Sequence, residues 1–418
     1  MTLTDALVRR CRLPVHHTTT AHLQGVYPFL AEAGLGGSGI YIGRDLFGGS
    51  FCWDPWQLYT AGVLSNPNLL IIGDIGSRKS TLVKTLLWRG LAFGRRFRVT
   101  DPKGEYGPLA AASGASVIKQ APGLGVILNP LDVPAEQHAG QLVQRRLELL
   151  GAIAATTLDR PLSPVETTGL ELALAGIETP VPTLPDVAAE LLEPEEGLAR
   201  QVGMPFGEYR SATRDIALGL RRLCTGDLAG MFDGPTSRDI DAGAQLLVLD
   251  LSAVYHRAAA ALPLVMTCAT AWLTGGDTLP SPTFQVTEEA WATLGSLPLA
   301  RAQRAAYKLA RRDALCNVAV LHRLSDLSAA GAAGSEQVAL ARGLLEDAGT
   351  RVVFAQPPGE IRAARDLLGL TDTETELLPH LPAGTALWKV GRDRSFIVQH
   401  RLAEAETVLV DTDCAMRT

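Results

Sequence analysis

The sequence lacks the cysteine and histidine spacing of a zinc site or of a disulfide framework. Its eight histidines do not cluster with its six cysteines, and no two cysteines form a CxxC pair; they stand at Cys11, Cys52, Cys224, Cys268, Cys316 and Cys414. Isolated cysteines of this kind are typical of a reduced intracellular chain. We therefore expect a cytoplasmic protein whose fold depends on a hydrophobic core.

A long uninterrupted apolar run is also missing. Residues 1–14 contain arginines but no apolar centre, so they do not resemble a signal peptide. The most membrane-like stretch, Ala258–Leu273, is interrupted by Pro263 and Thr267 and falls short of the roughly 18 apolar residues that cross a bilayer. We expect a buried helix there and no integral membrane segment.

Positive charge is not in excess. The chain has 38 basic and 44 acidic residues, a formal net charge of −6. General affinity for nucleic acid requires a surplus of lysine and arginine at the phosphates. Contact with DNA would therefore need a local basic surface or an assembled pore.

The sequence does contain a regular alternation of apolar runs and helical stretches. Leu69–Ile72 is continuously apolar, as expected of a central strand buried on both faces. A glycine loop follows, then a helical pattern from Lys79 to about Phe93. The later strand-like runs are Arg98–Thr100, Leu246–Asp250, Thr283–Thr287, Asn317–Leu321 and Arg351–Phe354. This alternation of strands and helices predicts an α/β fold with a doubly wound, mostly parallel sheet of the RecA-like class.

The pattern divides the chain into three parts. Residues 1–60 read as a short β-rich N-terminal segment with Gly-rich turns, and residues 61–134 and 241–418 form the α/β core. Residues 135–240 show helical periodicity interrupted by prolines, which predicts a helical insertion. Near the end, Thr385–Val390 and Phe396–Gln399 predict an antiparallel edge hairpin.

The segment after the first core strand has the spacing of a phosphate-binding loop, Gly73-Asp74-Ile75-Gly76-Ser77-Arg78-Lys79-Ser80. Such a loop wraps backbone N–H groups around a phosphate at a helix N-terminus. Lys79 would reach the β- and γ-phosphates and Ser80 would hold Mg²⁺, with Thr81 the weaker candidate. The strand–loop–helix context predicts ATP and Mg²⁺ as cofactors.

Arg78 departs from this motif, because glycine usually precedes the lysine. A side chain at this point restricts the backbone where it passes the phosphate. Three interpretations remain open. Arg78 tolerates the conformation and swings outward, towards a phosphate or a neighbouring subunit; or the loop is a degenerate remnant that binds nucleotide weakly; or the segment is a turn and a helix start.

An acidic strand end supplies the second half of an ATPase site. Glu288 and Glu289 follow the run Thr283–Thr287, and we expect Glu288 on the magnesium side and Glu289 as the catalytic base. Glu288 stands where aspartate is commoner. Asp250 ends a competing strand, and a solvated helix start is the structural alternative for both glutamates.

Several segments in order resemble the conjugal-transfer ATPases of type IV secretion systems, the VirB-type motors. They are Asn66-Pro67-Asn68 before the loop, Asp101-Pro102-Lys103-Gly104-Glu105-Tyr106, Met231-Phe232-Asp233-Gly234-Pro235-Thr236, Glu288-Glu289-Ala290-Trp291 and His322-Arg323-Leu324-Ser325-Asp326-Leu327. The resemblance covers about residues 24–400. The Asp-Pro-Lys-Gly-Glu segment also occurs in the related coupling-protein ATPases. Only residues 1–60 precede the motor here, where the family has a larger N-terminal domain.

The resemblance implies a cytoplasmic ring ATPase, often a hexamer, that associates with the inner face of the cell membrane. Its implied partners are further copies of the chain, membrane-bound secretion-channel components, and DNA or protein in transit. It also implies a γ-phosphate sensor on the strand before Ser325. The family usually has glutamine there, and His322 stands in its place. A histidine satisfied by backbone groups is the alternative.

Other charged residues have two interpretations each. Arg311, Arg312 and Arg351 are candidates for an arginine finger that completes a neighbour's site, although Arg311 and Arg312 also fit a solvated basic helix face. Asp101, Lys103 and Glu105 are expected at the C-terminal end of a parallel strand beside the P-loop, where ligands bind in such sheets, but the same residues make a good turn.

Three functions follow from these residues. The first is an ATP-hydrolysing transfer motor. The second is a catalytically impaired ring subunit or regulatory nucleotide sensor, motivated by the joint departures at Arg78, Glu288 and His322. The third is a DNA-translocating ATPase of the coupling-protein type.

Overall fold

The sheet that the apolar runs predict is present, and it is larger than the sequence indicates. The computed structural model describes residues 34–132, 139–226, 228–238, 240–241, 243–275, 281–294, 300–301, 303–304, 307–308, 310–311, 314–325 and 336–411. The strands of these parts are β1 (Ile40–Asp45), β2 (Ser50–Trp53), β3 (Leu69–Ile72), β4 (Arg96–Asp101), β5 (Ser116–Lys119), β6 (Leu246–Asp250), β7 (Thr283–Thr287), β8 (Leu315–Leu321), β9 (Thr350–Val353), β10 (Thr385–Val390) and β11 (Arg394–His400).

The helices of the same parts surround this sheet. They are α1 (Pro55–Thr60), α2 (Lys79–Ala92), α3 (Gly107–Ser113), α4 (Ala139–Leu158), α5 (Pro164–Gly176), α6 (Leu184–Leu192), α7 (Glu196–Val202), α8 (Phe206–Thr225), α9 (Ser252–Arg257), α10 (Leu262–Gly275), α11 (Trp291–Leu294), α12 (Glu336–Glu346), α13 (Ile361–Leu368), α14 (Asp372–Leu377) and α15 (Glu404–Val410), with 3₁₀ turns at Ala259–Ala261, Pro358–Glu360 and Leu378–His380.

The strand order is β2-β1-β11-β10-β9-β3-β8-β7-β4-β6-β5. The pairs from β9 to β5 are parallel, and the pairs from β9 to β2 are antiparallel. The predicted antiparallel hairpin is β10–β11. It is not at the edge of the sheet, because β1 pairs with β11 and β2 lies beyond it. The β-rich N-terminal segment therefore contributes two strands to the core sheet.

Both faces of the sheet are covered, as a doubly wound fold requires. The P-loop helix α2 and helix α3 pack on one face, through Leu86, Leu87 and Leu109 against strand residues such as Val99 and Val318. On the opposite face, α12 and α13 cover β3, while β6 shares an apolar core with α10 and with α4, α5, α6 and α8. The α/β class and the mostly parallel sheet are confirmed.

The segment predicted as an insertion forms helices in its described parts, from α4 to α8. Its core is apolar and continuous with α10, which begins at Leu262 and forms most of the stretch Ala258–Leu273 that the sequence predicts as a buried helix. Within the described residues, no helix is both long enough and apolar enough to span a membrane. Cys52, Cys224, Cys268 and Cys316 are buried free thiols.

Helix α5, in the predicted insertion, begins with a capping box whose contribution to the free energy of unfolding can be measured. The Ser163 hydroxyl accepts from the Glu166 N–H, and the Glu166 carboxylate accepts from the Ser163 N–H. Arg160 donates to both oxygens of Glu166, at 2.8 and 2.6 Å. The carboxyl is buried, and chiefly the hydrogen bond from Arg160 lowers its pKa to about 2.

We expect Glu166→Gln to lower the free energy of unfolding by about 1–2 kcal/mol at pH 7, because a charged acceptor is lost at a helix start. Glu171→Gln, on the exposed side of the same helix, is the matched control and should change it by less than about 0.5 kcal/mol. Urea unfolding followed by circular dichroism measures both.

The penalty should depend on pH with a defined sign. The pKa of Glu166 is lower in the folded chain, so its stabilising effect is fully present above the ordinary glutamate pKa and disappears as pH falls towards 2. An equal penalty at pH 7 and pH 3 would contradict the ion pair as its source.

Candidate functional site

The candidate site lies at the carboxyl edge of the parallel strands, where the loops after β3, β4, β7 and β8 meet. The phosphate loop connects β3 to α2. Gly73 has no room for a side chain, because a Cβ there would lie 2.5 Å from Phe354 Cβ. Gly76 has a φ of 78°, which glycine adopts without strain. Gly73 is thus required by the space beside Phe354, and Gly76 is favoured by its backbone conformation.

Arg78 shows how the loop accommodates a side chain before the lysine. It is the N-cap of α2 in the left-handed region, with φ 74° and ψ 33°. Glycine is usual here because L-residues rarely adopt this region. The arginine side chain is exposed and runs over Gly384, where a Cβ would meet Arg78 Cδ at 3.4 Å. It therefore leaves the loop on the side of the β10–β11 hairpin, which agrees with the outward-swinging interpretation.

Neighbouring backbone groups hold the loop in place. The Gly384 N–H donates to the Ser77 carbonyl at 3.1 Å, and the Asp74 N–H donates to the Ala355 carbonyl at 3.3 Å. Lys79 is 5% exposed, and its ammonium donates to the carbonyls of Gly73 and Asp74 at 2.5 and 2.8 Å. Burial is the largest cause that lowers the pKa of Lys79, to about 8.

Glu288 directly follows β7, two strands from β3, and its carboxyl is 7% exposed. The Tyr106 hydroxyl donates to its Oε1 at 2.6 Å. Burial raises the pKa of Glu288 to about 7, the hydrogen bond from Tyr106 opposes this rise, and the carboxyl of Asp101 adds to it.

Glu289 is the most fully engaged carboxylate of the site. Its Oε1 lies 2.5 Å from Lys103 Nζ and 2.7 Å from His322 Nε2, and the Trp291 indole N–H donates to Oε2. Burial would raise the pKa of Glu289, but the hydrogen bonds from His322, Lys103 and Trp291 outweigh it and lower the pKa to about 2. Its backbone is strained, with a φ of 53°.

The loop after β4 supplies a partner for each glutamate. The Asp101 carboxylate accepts hydrogen bonds from the N–H groups of Lys103, Gly104 and Tyr106, which fixes the loop. The sequence suggested that β4 lies beside the P-loop strand. In the sheet, β8 and β7 lie between β3 and β4. The loop after β4 therefore lies next to the two glutamates that follow β7, and these glutamates lie between it and the P-loop.

Glu105 faces the P-loop helix. Its carboxylate lies 3.8 Å from the ammonium of Lys84, a fully buried residue one turn beyond Ser80. Burial is the largest cause that lowers the pKa of Lys84, and the charges of Glu105 and Asp101 oppose it. The positive charge of Lys84 thus opposes the negative charges of Glu105 and Asp101 next to the site.

The competing acid, Asp250, ends β6, on the far side of β4 from β7. Its carboxylate accepts from the Ser252 N–H at 2.9 Å and so fixes the turn after the strand. The strand order therefore favours Glu288 and Glu289 over Asp250 as the acidic pair that faces the P-loop.

The three candidate arginine fingers differ in their location and contacts. Arg351 donates to the carbonyls of Leu345, Glu346 and Leu368, so its guanidinium caps α12 and is engaged within its own chain. Arg311 is exposed before β8, at the sheet edge opposite the P-loop of its own chain. Arg312 lies outside the described residues.

Sequence reasoning missed the residues that act through side-chain contacts. Tyr106 and Trp291 were quoted only as letters of motifs, yet they donate to the two glutamates. Arg323, 53% exposed, lies 3.8 Å from Asp74 of the phosphate loop. The available signal was position, since each follows a strand that ends at this edge.

The residues present fit a nucleoside triphosphate with Mg²⁺. The first N–H groups of α2 have no partner within the helix, and a buried ammonium stands beside them. Ser77 Oγ is buried without a hydrogen-bond partner among the described residues. Ser80 and Glu288 offer oxygen donors, which Mg²⁺ prefers. No cluster of three or more His, Cys, Asp or Glu side chains in the described parts could hold a metal alone.

The fold is similar to those of two solved proteins. VirB4 of Thermoanaerobacter pseudethanolicus superposes with a TM-score of 0.72 at 22% identity, covering 90% of this chain and 100% of that one. The plasmid coupling protein TrwB in complex with ADP and Mg²⁺ superposes with a TM-score of 0.57 at 17% identity, covering 81% and 86%. No protein-family model and no curated protein matches the sequence.

The left-handed backbone at Arg78 gives a test of the loop. We expect Arg78→Gly to bind ATP within about threefold of the wild type, because the loop already adopts the conformation that glycine permits. Arg78→Val should weaken binding about tenfold or more, since a β-branched residue strongly disfavours this region. Calorimetric titration with ATP measures both. Binding by the glycine variant alone would instead identify the native loop as impaired.

Proposed function

We propose that the protein is an ATP-binding and ATP-hydrolysing motor of a conjugative or type IV secretion-like transfer apparatus. The observation that carries the proposal is the meeting of a phosphate loop with Glu289 and His322 at one sheet edge, in a fold shared with VirB4. TrwB, which has the same kind of sheet, is a plasmid coupling protein that binds ADP and Mg²⁺.

Each residue has a defined task in this proposal. The loop amides from Gly73 to Thr81 and the ammonium of Lys79 hold the triphosphate. Ser80 and Glu288 hold Mg²⁺, which neutralises charge on the phosphates when bound. Glu289 orients the attacking water, and His322 donates a hydrogen bond to the terminal phosphate.

The assembly is part of the proposal. A neighbour's arginine completes such a site in many P-loop ATPases, and exposed Arg311 remains a candidate for that role. We propose a homo-oligomeric ring, with a hexamer as the expected form, bound peripherally at the inner face of the membrane to secretion-channel components. DNA or protein would be the substrate in transit.

Steady-state phosphate release by the purified oligomer tests hydrolysis. Glu289→Gln should lower kcat about 100-fold or more, the usual contribution of a positioned base. Lys79→Ala should abolish nucleotide binding. Asp250→Asn, a change of the same kind at the same sheet edge, should stay within about threefold of wild type. Activity that is independent of Glu289 at every protein concentration would contradict the motor.

One observation favours a second candidate, a catalytically impaired ring subunit or nucleotide sensor. Glu289 accepts from Lys103 and His322 at Oε1 and from Trp291 at Oε2, and its pKa is lowered to about 2, far from that of an efficient base. This candidate predicts nucleotide binding without turnover in the assay above. A DNA-translocating motor of the coupling-protein type predicts hydrolysis that DNA stimulates, which the same assay detects.

A further inference from the structure

Lys103 occupies an unusual position for a residue of a turn. Its ammonium lies 2.5 Å from Glu289 Oε1 and 3.4 Å from His322 Nε2, so three charged or titratable groups share one small space. Burial opposes the charge on Lys103, but the hydrogen bond and the charge of Glu289 outweigh it and raise its pKa. The depressed pKa of Glu289 agrees with an ionised pair.

The contact with Lys103 opposes the task of Glu289. A carboxylate orients a water through a free lone pair, and it attracts the water's protons less strongly when a cation neutralises it. Oε1 already carries Lys103 and His322, and Oε2 carries Trp291. One acceptor position on Oε2 is left for a water, but the carboxylate attracts the water's protons fully only when the Lys103 ammonium moves away.

Lys103 is the donor best placed to move. Its side chain is 35% exposed, compared with 4% for Glu289, so it has room on the solvent side. Its backbone does not need to shift, because Asp101 anchors the loop through three N–H groups. A lysine on a fixed backbone can exchange partners by rotating its four-carbon stem.

The alternative partner lies on the P-loop side. Among the charges that act on Lys79, Lys103 is the neighbouring cation that lowers its pKa, while Glu288 and Glu289 raise it. Both lysines belong to loops at the carboxyl edge of the sheet, Lys103 after β4 and Lys79 after β3. A polyanion bound at Lys79 attracts both and competes with Glu289 for Lys103.

We propose, on the basis of the proposed function, that Lys103 exchanges partners between Glu289 and the terminal phosphate of a bound nucleoside triphosphate. In one position it neutralises Glu289 and restrains hydrolysis. In the other it binds the γ-phosphate and releases the carboxylate for water. A diphosphate lacks the group that draws Lys103 away, so the lysine distinguishes triphosphate from diphosphate.

The test is the ratio of ADP to ATP-analogue dissociation constants, measured by calorimetry with the full chain, ADP and a non-hydrolysable ATP analogue. We expect Lys103→Met to reduce the preference for the analogue about tenfold, the effect of one charge-assisted hydrogen bond. ADP affinity should stay within about twofold, which also shows that the variant is folded. Lys103→Arg should retain the preference within about threefold.

Competition between Glu289 and the γ-phosphate for Lys103 provides a second test. Glu289→Gln removes the charge that competes for Lys103, so it should raise the preference for the analogue several-fold in the wild-type background. In the Lys103→Met background the same change should have no effect. Lys119→Met, an exposed lysine on the edge strand β5, is the charge-matched control and should leave every ratio unchanged.

The outcomes separate this inference from the function on which it rests. If ADP and the analogue bind but Lys103→Met keeps the wild-type ratio, the partner exchange is wrong and the nucleotide site stands. If the effect of Glu289→Gln persists without Lys103, the exchange is also wrong. If the wild-type protein binds neither nucleotide, both proposals are wrong.

Discussion

The site depends on one constraint, which is that two adjacent carboxyl groups are buried at the end of a strand. An ionised carboxylate out of water is costly unless hydrogen bonds or opposite charges compensate it. Glu288 and Glu289 are 7% and 3% exposed, and the loop after β4 compensates both. It does so because Asp101 ties three of its backbone N–H groups, which presents Tyr106 to one glutamate and Lys103 to the other.

Hydrogen bonds between backbone groups hold the phosphate loop in its conformation. Contacts from Ala355 and Gly384 fix its carbonyl and amide groups, so the conformation around Arg78 is imposed from outside the loop. This explains how a residue other than glycine remains in the left-handed region, since surrounding contacts that over-determine a conformation can support about 1–3 kcal/mol of local strain. The antiparallel strands added beside β9 are therefore part of the nucleotide site's support.

Local patterns in the sequence predicted the elements well. The apolar runs identified β3, β6, β7 and β10 with their observed bounds, because continuous burial leaves a clear signal. β5 was missed, since Ser116–Lys119 has only two apolar residues between polar ends. Strand order was not predictable, because it depends on pairing between distant segments, and the position assigned to β4 beside the P-loop failed for that reason. Tyr106 and Trp291 could not be recognised as donors without that order.

The three departures at Arg78, Glu288 and His322 have to be judged with their neighbours. The longer side chain at Glu288 meets the Tyr106 hydroxyl, and His322 meets Glu289, so both substituted positions have specific partners. Arg78 adopts the conformation that the loop needs and directs its charge outward. A decaying site would lose such complementarity position by position, because nothing would maintain a buried donor opposite each buried acceptor. Glu288 and His322 instead keep specific partners, and this favours a site that still handles nucleotide over a remnant of one.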